Sequence, residues 1–341
     1  MDKLFELKGR ATAFYTKYSR YIDRGVRFLI ALLTFSFVNN NIGFSSMIAN
    51  PLVTVAVAII CTFLPPVMTM MYVVVAILIH VYSVSLGMAI VSLALFLVVY
   101  AAYLRFSPKK STVVLLTLLA YMFKMPVLAP IGFGLLGGPS HIIAISIGTI
   151  FYYTIDYVKS YATLIGTVAE TGVMEQVMAY AQQMFANKLM WVTVLSFGLV
   201  LLIVYYLRKL EVDHAWKVAF VAGALSNIII MALANVMLDI PVSYPAIIVG
   251  SVLAVIASIV LEFVFFAVDY SRTEYLQFED DEYYYYVKAV PKMKVAIPEK
   301  TVKRITDHQE PEEAAHAEQG SNKTTDDAEL DKIIEEELKQ S

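Results

Sequence analysis

The chain has 341 residues, 59% hydrophobic and only 16% charged, with a formal net charge of −3. An ordinary soluble domain carries about 25% charged residues, so the composition excludes that class and points to surface that faces lipid. The net charge conceals two materials: residues 269–341 hold 19 acidic and 10 basic residues, net −9, while residues 1–268 hold 10 and 16, net +6.

In residues 1–24, Leu4, Leu7, Ala11, Phe14, Tyr18 and Ile22 recur at helical spacing, with Lys3, Lys8, Arg10, Lys17, Arg20 and Arg24 around them. This pattern predicts a basic amphipathic helix on a membrane surface; the alternative is a soluble cap packed on a bundle. No small-residue cleavage site follows the next apolar run, so a removed signal peptide is not expected.

Apolar runs with few charges then cover 26–39, 52–64, 67–104, 112–123, 141–155, 189–207, 218–238 and 245–268. A helix crossing a bilayer needs roughly 20 such residues. Helices satisfy their own backbone hydrogen bonds in lipid, and the alternating pattern of a membrane β-barrel is absent. The expected fold is therefore an all-α polytopic transmembrane bundle over 25–268. It should have about eight membrane segments, at least one of them broken or re-entrant. Cys61, the single cysteine, rules out an internal disulfide and lies within an apolar run.

Basic loops orient such a chain. The N-terminal arm, "RFSPKK" at 105–110 and "LRKLEVDHAWK" at 207–217 read as cytoplasmic, and "LDIPVSYP" at 238–245, without Lys or Arg, reads as external. Parity then requires an odd number of crossings in 111–157, where two apolar segments lie. The interruption is at 122–141, "MFKMPVLAPIGFGLLGGPSH", which holds Lys124, Pro126, Pro130, Gly132, Gly134, Gly137, Gly138 and His141. A broken or re-entrant helix there restores parity. Non-helical backbone at membrane depth is tolerated only when buried in protein or lining a wet cavity. The alternative places 158–188 in the cytoplasm and the tail outside. On the first reading, 158–188 forms an interfacial helix on the external side.

"LVTVAVAIICTFLPP" (52–66) and "TVVLLTLLAYMFKMP" (112–126) align without gaps. An internal repeat would matter, because interrupted segments at matching positions point to transporter binding sites.

After the last span, residues 269–306 form a juxtamembrane cytoplasmic segment in which Tyr283–Val287 is β-prone and a short strand or hairpin is expected. Residues 307–341 are an acidic tail expected to be mostly disordered, with a helix possible at 326–340, where Leu330, Ile333, Ile334 and Leu338 share one stripe. "FEDDEYYYYVKAVPK" (278–292) resembles a juxtamembrane motif of uncharacterised multi-span proteins of clostridial-type Firmicutes, some labelled ABC transporter permease. The resemblance implies a bacterial plasma membrane.

Motifs for soluble chemistry are missing from the sequence. There is no Walker A segment, no His-x-x-Glu-His type cluster and no Gly-x-Ser-x-Gly elbow, so no enzyme, cofactor or metal is expected. Ionisable residues at membrane depth are functional candidates by default. Lys124 comes first, as a cation beside broken backbone, against a lysine that snorkels to the interface. Glu262 could pair with it or reach the interface. His80 reads as packed or interfacial, and Asp156 as a surface residue. Gly223, Asn227, Met231 and Asn235 lie four apart, and such small and amide residues glue membrane helices or form the polar wall of a path. The leading expectation is a transporter or permease-like subunit. The alternative is a membrane scaffold that recruits a cytoplasmic protein through its tail. Membrane lipid is the expected partner in either case, a second copy of the chain is an option, and nucleic acid is not expected.

Overall fold

The computed structural model describes residues 2–162, 172–265, 274–280 and 283–289. These belong to one compact unit within residues 1–296. Residues 290–341, and with them the acidic tail and the terminal helix expected at 326–340, lie outside the described residues.

The fold is all-helical apart from one small hairpin. The helices are α1 (Asp2–Ile42), α2 (Pro51–Phe63), α3 (Pro66–Val84), α4 (Leu86–Val99), α5 (Ser111–Met122), α6 (Leu128–Leu136), α7 (Ile142–Ala162), α8 (Val173–Phe185), α9 (Lys188–Leu207), α10 (Ala215–Leu238) and α11 (Tyr244–Phe265). By length and composition, six helical stretches among the described residues suffice to cross a membrane: 66–84, 86–104, 139–162, 188–207, 215–238 and 244–265. The chain is a multi-pass membrane protein. The long run 67–104 divides at Ser85, whose side chain caps α4 by accepting from the Met88 N–H at 3.4 Å. Asn50 and Asn187 cap α2 and α9 in the same way, at 2.9 and 3.1 Å. Each of these caps satisfies an otherwise orphaned donor.

The first two predicted segments form one helix. Only Tyr18 departs from helical geometry in the 41 residues of α1 (φ −118°, ψ 19°). Nothing between the basic arm and the apolar run stops it, since Gly25 alone is too weak a breaker. The second half is core: Ala31, Thr34, Phe35, Val38 and Ile42 are buried. The first half is mostly exposed and reaches α11, where the Lys8 ammonium donates to the Phe263 carbonyl at 2.5 Å.

One end of the bundle carries Lys109, Lys110, Arg208 and Lys209 and is the basic end; the opposite one is the far end. Near the far end a polar network ties α1, α2 and α3. Buried His80 accepts the Ser45 N–H at Nδ1 (3.1 Å), so Nε2 carries the proton and donates to Asn39 Oδ1 (2.9 Å). The Asn39 amide donates to Thr54 Oγ1 (2.8 Å) and to the Ile48 carbonyl (3.0 Å). α8 lies against α4, with Tyr180 fully buried and its hydroxyl 3.1 Å from that of Ser92.

β1 (Glu274–Glu279) and β2 (Tyr284–Ala289) pair antiparallel, Phe278 opposite Tyr285. Tyr283, Tyr284, Tyr285 and Tyr286 are all exposed.

Close helix approach depends on glycine. A Cβ on Gly148 would sit 2.7 Å from the Thr117 Cβ and 3.1 Å from the Val114 carbonyl, so α5 and α7 touch backbone to side chain. Gly25 in α1 has nothing within 4 Å. Overpacking a tight contact costs about 1–3 kcal/mol, whereas Gly→Ala in an open helix gains roughly 0.5–1 kcal/mol. Thermal unfolding in detergent should therefore show Gly148→Ala losing stability and Gly25→Ala keeping or gaining it. Equal behaviour of the two would mean that the α5–α7 contact is loose.

Candidate functional site

α5 stops halfway along the bundle for a reason readable in its hydrogen bonds. The Lys124 N–H donates to the Tyr121 carbonyl and the Met125 N–H to the Ala120 carbonyl, both at 3.0 Å. This is the paired closure that ends a helix with one left-handed residue, normally glycine. Here the residue is Lys124, with φ 57°. Pro126 follows and prevents the helix from resuming in line. After the turn, α6 starts at Leu128, and buried Pro130 falls in its first turn, where a missing N–H costs nothing.

α6 then runs back toward the basic end. The Lys110 ammonium donates to the Ser140 carbonyl at 2.9 Å, and the Arg208 guanidinium donates to the Gly137 carbonyl at 2.6 Å. Both legs of the α5–α6 hairpin thus begin and end at the basic end. With 12 and 9 residues, the legs are about 18 and 14 Å long at 1.5 Å per residue, whereas the 24 residues of α10 span about 36 Å.

Above the tip lies an open cavity of about 540 Å³ between the hairpin, α7, α10 and the first turns of α11. Lys124, Pro126 and Asn227 line it, as do Tyr121, Tyr152 and Tyr153. Lys124 is exposed there. Tyr121 and Tyr152 stack with centroids 3.8 Å apart, and Tyr153 meets Tyr152 edge-on at 5.4 Å. Buried Asn227 accepts the Ser196 hydroxyl at 2.9 Å. Ser251, 2% exposed, also lines the cavity, and its hydroxyl has no partner among the described residues. Gly250 lets α11 meet the tip: a Cβ there would be 2.9 Å from the Lys124 carbonyl.

The other sequence candidates lie elsewhere. Gly132 faces Leu261 across ordinary contact distance, and Gly134 packs on Val204 of α9. Gly137, Gly138 and His141 build the turn at the basic end; His141 Nδ1 is 3.0 Å from the Gly138 carbonyl and its ring stacks on Phe133. Asn235 closes the α10–α11 turn, donating to the Ile240 carbonyl at 2.6 Å and accepting the Tyr244 hydroxyl at 2.8 Å. Glu262 lies about three turns of α11 beyond Gly250 toward the basic end, where its titratable neighbours are Lys217 and His214. No Lys124–Glu262 pair forms, because about 18 Å of helix separates their levels. Sequence reasoning missed Tyr121, Tyr152, Tyr153 and Ser251. Each sits in an apolar run and looks like ordinary core until the hairpin stops short beside it.

The chain matches no protein-family model, and comparison with curated proteins and with solved structures gives no match.

A side-chain-bearing residue in the left-handed region costs roughly 1–2 kcal/mol relative to glycine. Lys124→Gly should therefore keep or raise the thermal unfolding temperature of the purified protein. A clear loss would show that the lysine side chain holds the tip in place.

Proposed function

We propose that the protein is an integral membrane transporter or permease-like subunit and that the hairpin-tip cavity is on its substrate path. One observation carries this reading: a helical hairpin ends at mid-depth and presents a lysine, on strained backbone, to an open cavity. A charge at that depth costs about 2.5–3.5 kcal/mol on insertion scales, and the cost is relieved if the cavity is wet or the charge meets an anion. The resemblance of residues 278–292 supports a bacterial plasma membrane.

In the finer topology, the second half of α1 together with α2, α3, α4, α7, α9, α10 and α11 cross, and α5–α6 is re-entrant. The basic end faces the cytoplasm by the positive-inside rule. The N-terminal arm and everything after α11 then share the cytoplasmic side, with α8 outside.

Two measurements test this. In a Cys61→Ala parent, single cysteines in α8 should react with an impermeant thiol reagent applied outside cells, and cysteines at 276–287 should not. The reverse pattern overturns the orientation. In the same parent, Ser251→Cys should react with a small water-soluble thiol reagent, and purified protein in liposomes should take up labelled small anions in a manner lost in Lys124→Met. An unreactive Ser251→Cys and no uptake above empty liposomes would favour the alternative, a scaffold that recruits a cytoplasmic protein through its tail.

A further inference from the structure

What the cavity takes can be argued from its walls, resting on the reading of it as a substrate site. Lys124 is the single ionised group in the described lining. The nearest acid along α7, Asp156, is one turn beyond Tyr152, outside the lining, with Lys159 as its charged neighbour. Two polar groups of the same lining can donate: the Ser251 hydroxyl, buried in the wall, is unpartnered among the described residues, and Asn227 has its oxygen engaged by Ser196, leaving its amide N–H groups. An ammonium, a hydroxyl and an amide with no carboxylate form a set that complements a carboxylate. A second negative charge on the ligand would find no second cation.

The rest of the lining is apolar or aromatic. Tyr152 and Tyr153 present two rings at 78° to each other. The first turns of α11 add Pro245, Ile247 and Val249. A volume near 540 Å³ lies within the usual range for small-molecule sites, and mostly apolar walls with a few convergent polar groups are their usual form. We infer that the cavity binds small organic monocarboxylates with an aromatic or branched apolar body, the carboxylate on Lys124, Ser251 and Asn227 and the body against Tyr152, Tyr153 and the α11 wall.

The test is equilibrium binding of radiolabelled phenylacetate to the purified full chain in nanodiscs, with isovalerate, acetate, 2-phenylethylamine and 2-phenylethanol as competitors. Binding should saturate. Isovalerate should compete, acetate at least roughly tenfold more weakly, and the amine and alcohol negligibly. Lys124→Met should weaken binding by roughly tenfold or more while Lys124→Arg stays within about threefold, and Tyr152→Ala should weaken phenylacetate but not acetate. If Lys124→Met fails to fold, protection serves instead: phenylacetate should slow thiol modification of Ser251→Cys by roughly tenfold. Absence of saturable binding by both acids, equal competition by the amine, or unchanged affinity in a folded Lys124→Met overturns the inference. The same preparations in liposomes separate the two claims. Binding without uptake sinks transport and leaves the site. Lys124-dependent uptake of another solute class, with no phenylacetate binding, sinks the substrate class and leaves transport.

Discussion

A helix that stops halfway along an apolar bundle must complete its own backbone hydrogen bonds, because apolar surroundings offer none. That constraint acts most sharply at Phe123–Pro126, and much of the surrounding architecture follows from how it is met. The Lys124 and Met125 amides close onto the Tyr121 and Ala120 carbonyls, which the end of α5 would otherwise leave as orphaned acceptors. The left-handed residue this requires turns the chain, and Pro126 keeps it turned. α6 then has only one direction available, back to the end from which α5 came. Gly250 allows α11 to pass close to the Lys124 carbonyl, and a void is left above the tip.

The hairpin stays in place through contacts of two kinds. Between helices in lipid there is little hydrophobic driving force, so close packing and polar contacts hold them together. Gly134 against Val204, Gly148 against Thr117 and Gly223 against Val204 and Ile131 supply the first kind. Lys110 to Ser140 and Arg208 to Gly137 supply the second, at the open end of the hairpin. The His80–Asn39–Thr54 network does the same for α1 to α3 at the far end. The polar residues in this bundle thus divide into a fastening set near its two ends and a cavity set at its middle.

This division explains what could be read in advance. Membrane class follows from composition, since 59% apolar residues cannot all be hidden inside a chain of this size. The stop after Met122 was legible because Lys, Pro and Gly interrupt an apolar run, and no helix continues through it. The continuity of α1 was not legible, because amphipathic and apolar halves look like separate elements unless a breaker is required between them. The glycines and prolines of 122–141 looked like one site. In the fold they separate by depth: Lys124 and Pro126 line the cavity, Gly132 and Gly134 pack, and Gly137, Gly138 and His141 make the basic-end turn. Asn227 and Asn235 share a helical face, yet one borders the cavity and the other closes a turn. Periodicity fixes the face of a helix but not the level of its neighbours, and the three tyrosines are invisible for the same reason. The two Pro-ended segments also run oppositely: Leu64 and Pro66 share a small cavity at the basic end with Thr112, where the other segment begins. Gapless alignment carries no direction.

Lys124 concentrates two costs that a different residue would avoid. Glycine there would remove the left-handed strain of about 1–2 kcal/mol, and any neutral side chain would remove the charge from the middle of an apolar bundle. No ion pair within 4 Å accompanies the ammonium among the described residues, and no acid lies in the described cavity lining. The turn itself is closed by backbone bonds alone, so the side chain contributes nothing to making it. A residue that is unnecessary for the turn, unfavourable in its backbone and exposed to the cavity breaks local rules without a local gain. Sites that break local rules without a local gain are where function is expected.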